Sequence, residues 1–255
     1  MKRGAATRGQ VAKLVSGADC IEIKATIPDS QIDGALVRFN LSIDNEEERY
    51  IYFFDTPALD LLKGGIVARA RRIVGGPHDS TVKARPVVPH DVSDNWRKYR
   101  GFKIEADASE KGVVKSASLT MPVKKGRIKA AVAGEKSIAA LFSEEQEEFL
   151  TEMVQRSINY DAVVILGPLH AHRWKFEDPA CPWKITAELW QREDGARLME
   201  ASIKAPIEQA AVAIGGFMAF LAEMGAERDT EQQSKTRWAL DYYAAKIKAV
   251  DPHAS

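Results

Sequence analysis

Apolar and polar residues alternate with a period of two at many places along this chain, and that period marks strands whose two faces meet different surroundings. In residues 20–27 (CIEIKATI), Cys20, Glu22, Lys24 and Thr26 share one face and Ile21, Ile23, Ala25 and Ile27 the other, with Pro28 ending the run. Residues 34–43 (GALVRFNLSI) and 49–55 (RYIYFFD), separated by the polar 44–48, read as a hairpin. Asp55 or Thr56 then caps a short helix, with Pro57 in its first turn and Gly64 or Gly65 ending it. Further strands are read at 65–72, 80–86, 102–108, 162–167, 171–177, 183–191 and 196–206, the last entered through the Glu193-Asp194-Gly195 turn.

Other stretches lack this period. Residues 87–100 read as an excursion from the sheet, and 109–134, rich in Lys, Gly, Ser and Ala, as a loop insertion. A helix follows within 135–158, with Ser143 and Gln146 spaced as a capping box and Phe149, Leu150, Met153 and Val154 as its apolar stripe. Two helices close the chain, one from Pro206 to about Met224 and one from about Thr230 to Val250, where TEQQSK carries a second capping-box spacing. The organisation expected is a flexible lead over 1–17, one domain over 18–250 containing the 109–158 insertion and the 206–250 helices, and a tail at 251–255.

Charge changes the picture locally rather than globally. Of 255 residues, 36 are basic and 36 acidic, so no net field draws the protein to nucleic acid or an anionic membrane. Two cysteines do not make a disulfide framework, there is no signal-peptide apolar region, and the apolar run at 210–222 is shorter than the ~20 residues a membrane span needs. A cytoplasmic protein with neither membrane nor nucleic-acid partner is expected. No Walker loop or GxGxxG is present. His170 and His172 read as packing or surface residues, and the Tyr242-Tyr243 pair as core.

The strand faces, however, repeat one theme. Arg69 with Arg71 and Lys83 with Arg85 stand at spacing two, and adding Lys24, Lys103, Arg173, Lys175 and Lys204 gives nine same-face bases against five acids, Glu22, Glu105, Asp107, Glu188 and Glu200. Side-by-side cations repel, so this arrangement suits a multiply charged anion, and interspersed carboxylates suit a hard divalent cation bridging to phosphate oxygens. Parity alone leaves two architectures open: a sandwich with charged faces to water, or a closed barrel with charges converging on a lumen.

Taken together, IEIK, YFFDTPALDLLKGGIVARARR, TVKARP, FKIEAD, HRWKFE and MEASIKAP, in this order over roughly residues 20–245, resemble the CYTH or triphosphate tunnel metalloenzyme superfamily. The resemblance implies an α+β protein: an eight-stranded antiparallel β-barrel with helices packed outside. It implies hydrolysis of an inorganic or organic triphosphate with Mg2+ or Mn2+, the alternatives being a non-catalytic polyphosphate- or nucleotide-binding module and a class IV-type adenylyl cyclase. Lys24, Arg69, Arg71, Lys83, Arg85, Arg173 and Lys175 match phosphate-binding places, Lys204 shares their face, and Lys235 falls at the place of a late lysine. Glu22, Glu105, Asp107, Glu188 and Glu200 match places for metal-holding or water-activating carboxylates, with Glu22, Lys24 and Glu105 the catalytic set. Members of this superfamily open with E-x-E-x-K, whereas this chain has Cys20 at the first acid, and Ser202 stands where a last-strand acid is common. These departures favour binding of a triphosphate over its hydrolysis. A homodimer is left open.

Overall fold

The computed structural model describes residues 8–109, 112–226 and 234–250. Nine strands are present among them: β1 (Cys20–Ile27), β2 (Glu47–Asp55), β3 (Ile66–Ile73), β4 (His78–Ala84), β5 (Phe102–Ser109), β6 (Gly112–Val123), β7 (Val164–Asp178), β8 (Cys181–Gln191) and β9 (Arg197–Ala205). They close into a barrel in the order β1-β5-β6-β4-β3-β2-β7-β8-β9. The expectation of eight antiparallel strands is therefore corrected twice: a ninth stave is present, and β1 pairs with β5 in parallel, Glu22 opposite Asp107. Closure resolves the choice that parity left open, because a barrel has an inside and the charged faces meet there.

The ninth stave includes part of the segment expected to be a loop. In β6 the small residues Ser116, Ala117 and Ser118 carry little hydrophobic contrast, yet both edges of the strand are paired, to β4 and to β5. Ala117 and Leu119 are fully buried on its outer face, while Ser116 reaches Asp107 on the other. The first arm of the expected hairpin is also overturned. Residues Ile32–Arg38 form a helix, α2, since Ile32, Ala35 and Phe39 are buried at helical spacing rather than alternately. The two strands read at 162–167 and 171–177 are one strand, β7, whose pairing with β2 shifts register between Ile51 and Phe53.

Helices cover the outer wall. Within the lead, α1 (Arg8–Val15) buries Val11 and Val15. The short helix after β2, α3 (Asp60–Lys63), starts later than Pro57. Asp55 is its anchor, the carboxylate accepting the backbone N–H of Thr56 at 2.7 Å, Leu61 at 2.8 Å and Leu62 at 2.9 Å. After α4 (Arg127–Val132), the helix expected within 135–158 is α5 (Glu144–Val154), with the Ser143–Gln146 capping box formed. Then come α6 (Ala210–Glu223) and α7 (Lys235–Val250); the TEQQSK spacing lies largely outside the described residues.

Gln146 does more than cap. Fully buried, it donates from Nε2 to the Ser80 and Leu119 carbonyls at 3.2 and 3.1 Å, and Ser80 Oγ donates to its Oε1 at 3.0 Å, so it docks α5 on β4 and β6. Gln146→Leu leaves these buried groups without partners, and a loss of about 2–3 kcal/mol is expected in urea unfolding; an unchanged midpoint would remove the docking role.

Candidate anion-binding lumen

The inward faces enclose a cavity of about 740 Å³. Of its apolar lining residues, Ile51 and Trp190 pack with Phe53 and with Ala239, Leu240 and Tyr243 of α7. Much of the remaining lining is charged. Among the described residues ten bases line it, Lys24, Arg49, Arg69, Arg71, Lys83, Arg85, Arg173, Lys204, Lys235 and Arg237, against five acids, Glu22, Glu105, Asp107, Glu188 and Glu200.

Two acid-centred groups organise these cations. Asp107, 2% exposed, takes Lys24 Nζ at 2.6 Å, Lys83 Nζ at 3.1 Å, Ser116 Oγ at 3.1 Å and Arg85 Nη1 at 3.9 Å. Burial opposes its charge, but Lys24 and Lys83 prevail and hold its pKa well below the carboxylate range. For Lys24 burial is likewise outweighed, by Glu22 and Asp107, and its pKa is raised. Lys83, buried beside Lys24, is lowered in spite of Asp107. Around Glu188 gather Lys235, Arg49 Nη1 at 3.7 Å and Arg173 Nε at 3.7 Å, and despite burial these keep its pKa far below normal.

Arg69 differs. It makes no ion pair among the described residues, and its Nε is buried without a hydrogen-bond partner, as is Arg173 Nε. Burial first and Arg71 second push the Arg69 pKa down to about 10. Arg71 itself is bound at both ends by Asp79, at 2.8 Å each.

No family model and no curated protein matches this chain. Solved structures do. A Bacillus halodurans candidate adenylate cyclase superposes with a TM-score of 0.60 at 13% identity, over 87% of this chain and 97% of that one. A Hippeastrum candidate adenylyl cyclase, for which a dominant triphosphatase activity is described, superposes with 0.62 at 15% identity, over 87% and 95%. The fold is that of these two structures, a closed barrel with helices outside.

Within this barrel, the expected residues are largely brought together. Glu22, Lys24, Arg69, Arg71, Lys83, Arg85, Glu105, Asp107, Arg173, Glu188, Glu200, Lys204 and Lys235 all line the lumen, and so does Ser202. Lys175 does not: two residues beyond Arg173 on β7, it is exposed and absent from the lining, as is Lys103. Cys20 stands opposite Glu105 across β1 and β5, half-buried and off the cavity surface. Arg49, 4% exposed, is the lone base on its face of β2, where the apolar Ile51 and Phe53 follow it, so no basic pair at spacing two marks it in the sequence. Its position at the polar end of that face was the available signal. Burial and the neighbouring Arg173 and Arg71 push its pKa down to about 9. His170 and His172 lie outside the lining and pair with Glu48 and Glu46.

A divalent cation does not fit the lumen as arranged. Among the described residues no three histidine, cysteine or carboxylate side chains come together so as to hold a metal ion. Lysine nitrogens stand between the carboxylates instead, Lys24 between Glu22 (2.9 Å) and Asp107, and Lys235 between Glu188 and Glu200 (2.8 Å).

Proposed function

We propose that the lumen binds a triphosphate-bearing small molecule or inorganic polyphosphate. The observation that carries this reading is Arg69, whose Nε is buried without a hydrogen-bond partner and which makes no ion pair among the described residues, in a cavity lined by ten bases and five acids. A buried guanidinium donor without an acceptor costs free energy, and a phosphate oxygen supplies the missing acceptor together with the missing charge. Arg69, Arg71, Arg85 and Arg173 form planar clamps, and Lys24, Lys83 and Lys204 are point charges that their carboxylates hold toward phosphate oxygens.

Hydrolysis of the bound triphosphate is a second reading, supported by the triphosphatase activity of the Hippeastrum neighbour. Water would attack the terminal phosphorus, the anhydride P–O bond would break, and the arginines would balance the charge on the departing oxygens. Glu22 and Glu105, each in contact with a lysine, are the lumen carboxylates that would take the proton of that water. A cyclase, which would need adenine recognition that no described lining residue marks, is a third reading.

Thermal unfolding tests binding. Tripolyphosphate at a hundred times its Kd stabilises by about 2.7 kcal/mol, on the order of 5–10 °C for a domain of this size. Pyrophosphate should give less and phosphate least, and all shifts should shrink with salt. Equal, negligible shifts for the three anions would overturn the reading, and phosphate release measured with EDTA, Mg2+ or Mn2+ separates hydrolysis from binding.

A further inference from the structure

Among the described residues, every carboxylate on the lumen surface meets an ammonium. Glu188 and Glu200 face each other across β8 and β9, a placement in which like charges repel. Lys235, at the first turn of α7, reaches in from outside the sheet and relieves this, bonded to Glu188 and 2.8 Å from Glu200 Oε1. On the neighbouring staves Lys24 spans Glu22 at 2.9 Å and Asp107 at 2.6 Å, while Lys204 bonds Glu105 and lies 4.0 Å from Glu22.

A hard divalent cation needs several oxygens converging on one point, at ~2.1 Å for Mg2+. An ammonium between two carboxylates occupies that point, directing a donor at each and keeping one for a phosphate oxygen. The remaining positions do not compensate. Cys20 is off the cavity surface, and Ser202 contributes a hydroxyl opposite Lys24, not a charge.

We propose that Lys24, Lys204 and Lys235 hold the places a divalent cation would take, so that the lumen receives a polyphosphate free of metal. The carboxylates position charged lysines for phosphate oxygens rather than ligating an ion. This rests on the triphosphate reading above and narrows its ligand to the uncomplexed anion.

Two titrations of the wild-type protein and one variant test it. Tripolyphosphate, followed by calorimetry, should bind at least as tightly in EDTA as in excess Mg2+, which competes for the anion. Mn2+ alone, followed by electron paramagnetic resonance, should find no site of one ion per chain. Lys235→Met opens the Glu188–Glu200 pair, so Mn2+ should bind this variant roughly tenfold or more tightly than wild type and raise its melting temperature. Anion binding that needs Mg2+ or Mn2+, or a stoichiometric Mn2+ site in the wild type, overturns the proposal while leaving the triphosphate reading in place. A folded Lys235→Met that gains no Mn2+ site overturns it too. If that variant does not fold, the two wild-type titrations decide. Absence of anion binding with and without metal sinks the triphosphate reading, and the wild-type Mn2+ titration then decides the lysine proposal by itself.

Discussion

Replacing Arg69 with methionine is expected to weaken tripolyphosphate binding by roughly ten- to a hundredfold, the range for one lost charge-assisted contact of about 1.5–3 kcal/mol. The same change should leave the ligand-free protein as stable as before, or more so. Arg69 has no ion-pair partner among the described residues and a buried, unpartnered Nε, so its charge is unfavourable until an anion arrives. Arg71, held by Asp79 at 2.8 Å, is the internal comparison: Arg71→Met removes a formed ion pair and should cost stability as well as affinity. Calorimetry for affinity and urea unfolding for stability separate the two. An Arg69→Met protein that unfolds early yet binds with wild-type affinity would show that the side chain serves the fold and not the ligand.

Asp107→Asn should cost about 3–5 kcal/mol of stability in the ligand-free protein, because it leaves Lys24, Lys83 and Arg85 around a neutral group in a buried place. Tripolyphosphate should recover a large part of that loss, since the anion supplies the charge that the substitution removed. The pH dependence has a definite sign. The folded-state pKa of Asp107 lies below the unfolded value of about 3.9, held there by Lys24 and Lys83 against burial. Its contribution is therefore complete above the unfolded pKa and is lost as pH falls below it, toward the folded pKa. Glu22 and Glu188 shift in the same direction and add to this acid limb. Unfolding midpoints from pH 7 down to pH 3 should fall more shallowly in Asp107→Asn than in wild type. Equal stability and equal slope would mean that the three cations do not depend on Asp107.

Much of the site was legible because side-chain parity along a strand is local. Glu22-x-Lys24, Arg69-x-Arg71, Lys83-x-Arg85, Glu105-x-Asp107 and Ser202-x-Lys204 each name residues that share a face, and each of these residues lines the lumen. Lys175 shares its parity with Arg173 but not its depth, for parity says nothing about where along the barrel axis a residue falls. In β6 the small side chains hid a strand that pairing on both edges secures, and in α2 helical burial of Ile32 and Ala35 prevailed over an apparent strand.

What the sequence determined by itself is thus the faces: which charges travel together on each stave, where Asp55 and the Ser143–Gln146 box start helices, and that no global charge guides a ligand. Only the tertiary structure decided that those faces turn inward, that β1 lies parallel to β5 with Glu22 beside Asp107, and that Lys235 on α7 reaches Glu188 and Glu200. The physical reason is range. Alternation and capping act over two to four residues, whereas closure, register and the meeting of a helix lysine with two strand carboxylates join residues dozens of positions apart.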